Sequence, residues 1–286
     1  MLFSYLWLKE LSGTKKSPEK LAALLMAHAF EVESVMPFKH GLSEVVIGKV
    51  LAVKQHPDAD RLRVATVSTG KKAIREIVCG ASNLAVGQKV ALAVPGAKLS
   101  GGIVIKEAEL RGVKSQGMIC SAKELGLGSD HAGILVLPAD APLGKDFVAY
   151  AELEDTVLDV KILPDRSCDA LSYRGLAREI AAIEGGVAPF LTAVRTSSRL
   201  RKGNKVPKVA IKAEHSKRYM AILLDQAVMR PSPIMAKTRL VVSGLRPMNA
   251  FVDLTNYLML ETGQPVHAFD ADAIPKGGIV VRNAKA

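Results

Sequence analysis

Five hydrogen-bonding side chains crowd the stretch DLTNYLMLETGQPVHAFD, Asp253 to Asp270: Thr255, Asn256, Gln264, His267 and Asp270 stand among apolar neighbours. Such residues can cap and turn the chain. They can also line a pocket in which an imidazole orients a substrate or moves a proton. Phe251, Leu254, Tyr257 and Leu258 recur at i, i+3, i+6 and i+7, which predicts a helix closed by Gly263, with a turn at Gln264-Pro265. Thr255 and Asn256 then lie within the helix, and His267 opens an extended segment. Gly263 and Pro265 suffice to end the helix, so His267 is not needed for the turn. Spacing alone leaves both readings open.

A second set of residues is basic. Arg61, Arg63, Lys71, Lys72, Arg75, Lys106, Arg111 and Lys114 are spread over a region of strands and turns. The chain of 286 residues carries a net charge of +11, which favours a polyanionic partner, nucleic acid before membrane. Lys and Arg along a groove would track a phosphate backbone. Aromatic residues are only 5%, so base stacking is not the main mode, and shape recognition of a folded RNA fits better. His56-Pro57, Asp58 and Asp60 read as a turn, the residue before proline being extended and the acids bonding their own backbone.

Other chemistries find little support. No nucleophile–base pair stands out in the basic region, and no P-loop occurs. Cys79, Cys120 and Cys168 lack metal-ligand spacing and read as reduced thiols. No apolar run approaches the roughly 20 residues of a membrane span, and the N-terminus does not read as a secretory signal, so a cytoplasmic location and no membrane partner are expected.

The elements that must position these residues follow from periodicity. Ser17-Pro18-Glu19 starts a helix, and EVESV is a short strand. From residue 41 to 151 many short strands, VVIGKVLAV, RLRVATVS, AIREIVC, QKVALAV, IVIKEAEL and GMIC, are punctuated by Gly and Pro, which predicts a small closed barrel. SAKELGLG within it reads as one short helix. VLDVKIL is a strand, and ALSYRGLAREIAAIEGG a helix with Leu176, Ile180 and Ile183 on one face. Residues 1–40 and 152–190 then form one α+β unit with the barrel inserted. Residues 191–206 read as a basic linker, and 207–286 as a second α+β unit with strands RYMAILLD and GGIVVRNA around two helices. A last strand with no closing element reads as a cut.

Three segments, HPDADRLRVATV, IVCGASNLAVGQKVALAVPGA and LRGVKSQGMICSAKELGLG, resemble the tRNA-binding oligonucleotide-binding (OB) fold of aminoacyl-tRNA synthetases and free tRNA-binding proteins. FSYLWLKEL, RGLAREIAAI and LRPMNAFVDLTNYLMLETGQPVHAFD add a resemblance to the β subunits of bacterial phenylalanine-tRNA ligases, running in that family's order through nearly the whole chain except the linker. One loop departs: LPDRSCDALS is one residue longer than the family's TPNR.DCLS and has Asp165 for Asn. The resemblance implies an N-terminal fragment of a subunit of an α2β2 enzyme that charges tRNA using ATP and Mg2+. The α subunit would carry the synthetic site, with neither ATP nor Mg2+ bound by this chain. It implies a multidomain α+β fold: an OB-fold barrel inserted in the N-terminal unit, then the first part of an editing module.

On the matching positions, the resemblance places His267, Thr255 and Asn256 in a pocket that hydrolyses tyrosyl-tRNA. Such a pocket has a physical purpose, because an apolar site rejects an added hydroxyl by only about a hundredfold. His267 would orient the tRNA terminus or the attacking water, or act as general base; alternatively the tRNA's own hydroxyls drive hydrolysis and Thr255 and Asn256 only position it. The competing reading is a free tRNA-binding protein or chaperone built on the OB-fold, which has no need of the segment from Val252 to Asp270.

Overall fold

A computed structural model describes residues 1–70, 73–189, 207–224, 227–274 and 278–284. Lys71, Lys72 and the basic stretch 191–206 lie outside the described residues.

Strands β1 (Leu2–Ser4), β2 (Glu31–Lys39) and β11 (Glu154–Lys161) form an antiparallel sheet in the order β1-β11-β2. The central strand thus comes from after the insertion and both outer strands from before it. Helices α1 (Tyr5–Ser12), α2 (Pro18–His28) and α5 (Tyr173–Ile183) share one core with this sheet, built on Phe3, Trp7, Leu21, Leu158, Tyr173 and Leu176. Local chemistry sets the helix ends. Ser4, Ser17 and Ser172 each accept a hydrogen bond from a first-turn N–H, and Gly13 ends α1 in the left-handed region. A Cβ on Gly175 would come within 2.1 Å of the Asp169 carbonyl oxygen, so a glycine lets α5 close on the short helix α4 (Ser167–Ala170).

The inserted region holds six laddered strands: β3 (Ser43–His56), β4 (Ala59–Ser68), β5 (Ile74–Cys79), β6 (Lys89–Lys98), β9 (Met118–Ile119) and β10 (Val136–Leu137). Their order is β10-β6-β3-β4-β5, with β9 also on β6, so among the described residues the ladder is open and the expected closed barrel is not formed by strand pairing. The seam between β5 and β9 is pinned at points instead. Gln116 N–H donates to the Glu76 carbonyl at 2.9 Å, and Val78 N–H to Ser115 Oγ at 3.1 Å. Gly117, at φ +137°, lets the chain cross against the Ala93 carbonyl, where a Cβ would lie at 2.4 Å, just before β9 joins β6. The hairpin β7 (Ala108–Leu110)–β8 (Val113–Ser115) forms its own two-stranded ladder. Val50, Ala65, Val67, Ile77 and Leu92 form one core of the sheet. Ile47, Ala93, Leu125 and Phe147 belong to a second, which includes the short helix α3 (Phe147–Tyr150). The helix expected at Ser121–Gly128 is a run of turns. Ser121 and Glu124 do cap each other's N–H groups, but Gly126, at φ +66°, breaks the helical path immediately afterwards.

Beyond residue 206 the chain forms α6 (Ile234–Val242), α7 (Ala250–Thr262) and a short parallel pair, β12 (Val209–Ile211) with β13 (Ile279–Val281). The strand expected at RYMAILLD is not laddered. Within 218–224 the alternating Met220, Ile222 and Leu224 are 71%, 66% and 68% exposed, with no strand paired beside them among the described residues. The two helices lean on both preceding units: Ile234 and Val241 of α6 pack on the second core of the sheet, and Tyr257 and Leu260 of α7 on the N-terminal core. No helix among the described residues is long and apolar enough to cross a membrane.

Candidate functional site

The HPDAD turn joins β3 to β4 and is built around a buried imidazole. His56 Nδ1 accepts the Asp58 N–H at 3.1 Å, which leaves Nε2–H to donate to the Leu110 carbonyl at 3.0 Å. Arg111, at φ +49°, donates to the Asp58 carbonyl at 3.1 Å. The β7–β8 hairpin is therefore tied to the β3–β4 turn by two bonds, and Arg61 follows directly after that turn. Arg61, Lys106, Arg111 and Lys114 are exposed. Acids interleave with them: Asp58 and Asp60 lie in the turn, and Glu109 stands opposite Lys114 in the hairpin register.

The remaining basic residues of the region differ. Arg63 directs its guanidinium to the carbonyls of Ala81 and, at 2.9 Å, Leu84, strapping the 81–84 loop onto β4. Arg75 is half-buried opposite Val67, with Nε buried and unpartnered among the described residues. Both share strand parity with the core residues Ala65, Val67 and Ile77, so the pleat turns them toward the interior. Lys71 and Lys72 lie outside the described residues.

In the polar segment, Asn249 caps α7 by accepting the Val252 N–H at 3.1 Å, and Gly263 ends it at φ +77°. Thr255 Oγ1 donates to the Val252 carbonyl of its own helix at 2.9 Å. Asn256 is half-buried, and its side chain makes no hydrogen bond among the described residues. His267 is exposed, its ring 6.4 Å from that of Phe269. These three residues line neither of two cavities in the described structure. One, of about 410 Å³, lies between α4–α5 and the end of α7 and is bordered by Arg174, Arg178, Gly263 and Gln264. The other, of about 290 Å³, is bordered by Phe269, Asp270, Ile274 and Ile279. The polar run is thus divided: Gln264 reaches one cavity and Asp270 the other.

One site residue escaped the sequence reading. Asp253 is fully buried, accepting the Met248 N–H at 2.7 Å and the Ser232 hydroxyl. It stitches the segments flanking α6 to α7. Its place at i, with Tyr257 and Leu260 at i+4 and i+7, was the available signal. Lys237 is buried close by; burial lowers its pKa, and Asp253 and Asp130 oppose that shift. Among the described residues no three His, Cys, Asp or Glu side chains gather as metal ligands. The sequence carries no P-loop glycine pattern.

Residues 45–146 match the family model of a tRNA binding domain, and residues 215–286 that of the B3/4 domain. The phenylalanine–tRNA ligase beta subunit of Dechloromonas aromatica is 43% identical over 286 residues, covering 100% of this chain and 36% of that protein. The counterpart from Aromatoleum aromaticum is 43% identical over 285 residues, 99% of this chain and 35% of its own length. That of Geobacter metallireducens is 41% identical over 286 residues, again 36% of its length. The chain spans about a third of the length of these relatives. Two unlike domain models in one chain, together with similarity along its whole length, place this chain in the family of phenylalanine–tRNA ligase beta subunits.

Proposed function

We propose that the chain works as part of the β subunit of a phenylalanine–tRNA ligase, in an α2β2 assembly that charges tRNA with phenylalanine in the cytoplasm. Residues 1–40 and 152–190 serve as a structural unit. Residues 41–151 act as an OB-type tRNA-binding unit, working as a barrel through its pinned seam. Residues 207–286 supply part of the site that hydrolyses mischarged tyrosyl-tRNA. The observation that carries this reading is the presence of a tRNA binding domain and a B3/4 domain in one chain that is 41–43% identical throughout to beta subunits. A free tRNA-binding protein or chaperone would leave the B3/4 match unexplained.

The ATP and Mg2+ of the charging reaction belong to the partner α subunit in this reading. The chain's own residues have other tasks. Arg61, Lys106, Arg111 and Lys114 meet phosphates of the tRNA, with Lys71, Lys72 and Arg75 as further cations of the same unit. His56 ties the β3–β4 turn to the hairpin that carries Arg111 and Lys114, and Arg63 holds the 81–84 loop onto β4. Thr255 and Asn256 position the ester-bearing end of the tRNA, and His267 orients it or the attacking water, or takes the water's proton. ATP–pyrophosphate exchange tests the division of labour. The purified chain should show none with phenylalanine, and should acquire none on adding tRNA. Robust phenylalanine-dependent exchange by the chain alone would overturn the proposal.

A further inference from the structure

The face of α7 that meets the N-terminal unit is held by an unusual joint. Trp7 stacks on Tyr173 at 3.8 Å between centroids and on Tyr257 of α7 at 4.8 Å, with interplanar angles of 27° and 26°. Arg239 of α6 sits on this stack. Its guanidinium carbon lies 4.9 Å from the Trp7 ring centroid and 5.9 Å from that of Tyr257. One amino group donates to the Tyr257 hydroxyl at 2.7 Å, and the other meets Glu10 of α1. The Arg239 side chain is only 10% exposed, whereas Glu10 is 59% exposed. The ion pair is therefore weak, and what favours the buried cation is the set of ring faces around it. Arg239 Nε is buried without a partner among the described residues, a cost that a site built for hydrogen bonding would avoid.

The joint is reinforced on either side. Tyr173 accepts the Ser4 N–H at 2.6 Å and shares a 2.8 Å hydrogen bond with Ser243, just past α6. Arg174 holds Glu261 at 2.8 Å. Gly263 lies so close to Ser172 that an added Cβ would stand 3.3 Å from the serine Cβ. Tyr257, Leu260, Glu261 and Gly263 thus attach α7 to the N-terminal unit, while Leu254, Leu258 and Thr262 remain exposed.

We infer that Arg239 is a positioning residue for the hydrolysis of mischarged tRNA. Resting on the proposed editing role, it clamps α7 against Trp7, so that the N-terminal unit is the reference against which Thr255 and Asn256 are aimed. Arg239 touches neither the tRNA ester nor water in this account. It acts through the helix it locks, and it needs a planar cation to do so. Lysine keeps the charge but loses both the stacking plane and the fork.

The test uses the full-length subunit assembled with its partner. Arg239→Lys and Arg239→Met should each lower kcat for tyrosyl-tRNA hydrolysis about ten- to a hundredfold, the range expected from a misplacement of about 1 Å. KM for the tRNA and the rate of phenylalanine charging should stay within about twofold. Trp7→Phe, which keeps a ring under the cation, should retain most of the activity. Should Arg239→Met fail to assemble, Tyr257→Phe removes only the acceptor oxygen and should lower kcat about three- to tenfold, the net worth of one ordinary hydrogen bond. Full hydrolysis by Arg239→Lys, or a rise in KM with kcat intact, overturns the inference. His267→Ala measured beside it separates the two claims: if His267→Ala is silent, the editing role fails. The clamp is then judged on this chain alone through Trp7, its single tryptophan. Arg239→Lys should shift Trp7 emission to the red as the stack loosens, and unchanged emission would dismiss the clamp.

Discussion

Arg61 and Arg63 are two positions apart, yet their side chains meet different surroundings, so the proposed tRNA binding should depend on them differently. Arg61 is exposed beside the HPDAD turn, whereas the Arg63 guanidinium is engaged by the Ala81 and Leu84 carbonyls. If Arg61, Lys106, Arg111 and Lys114 each neutralise one phosphate, the slope of log K against log salt should be about −3, at roughly 0.7–0.9 per contact. Raising salt fourfold would then weaken binding by about 50- to 150-fold. Removing Arg61 should reduce the slope by about 0.7–0.9 without changing stability beyond about 0.5 kcal/mol. Arg63→Met should leave the slope unchanged and cost about 1–3 kcal/mol, because two part-buried carbonyls lose a charged donor. Labelled tRNA titrated at several salt concentrations, with urea unfolding of each variant, measures all of these. Equal slope losses for the two variants, or an Arg63 variant of full stability, would refute the assignment.

Two further outcomes are expected. At pH 8 a disulfide-exchange reagent should label Cys168 first, because it is exposed, while burial raises the Cys79 thiol and pushes Cys120 up to about 12; rapid labelling of all three before unfolding would contradict the core. Gly263→Ala should destabilise the chain by about 1–2 kcal/mol in denaturant melts, since φ is +77° and the new methyl meets Ser172; no loss would mean that α7 does not end against α5 as described.

Helix ends were legible in the sequence because they depend on local bonds: Ser17-Pro18 starts α2 and Gly263 stops α7 where their types predict. Features that depend on a distant partner were not. Leu2–Ser4 is a strand only because β11, about 155 residues later, lies beside it. Residues 218–224 show the same alternation as a strand but have no paired neighbour among the described residues, and alternation alone does not make a ladder. The closed barrel was expected from strand count; the crossing at Gly117 depends on where Ala93 lies, which no local pattern encodes. Of the basic residues, type alone could not separate Arg63 from Arg61, although the parity of Arg63 with Ala65 and Val67 held the signal. The polar cluster was legible only as a question. The structure bonds Thr255 to its own helix and leaves His267 exposed, so their common task rests on the proposed tRNA substrate.

Hydrolysis of tyrosyl-tRNA by the full-length subunit assembled with its partner tests the central claim most directly. The assembly should release tyrosine from the mischarged tRNA. His267→Ala should slow that release by about tenfold or more, with Thr255→Ala acting in the same direction more weakly, while phenylalanine charging remains nearly intact. An assembly that cannot hydrolyse tyrosyl-tRNA, or a His267→Ala variant that hydrolyses it at the original rate, would contradict the account and leave the polar segment as scaffold.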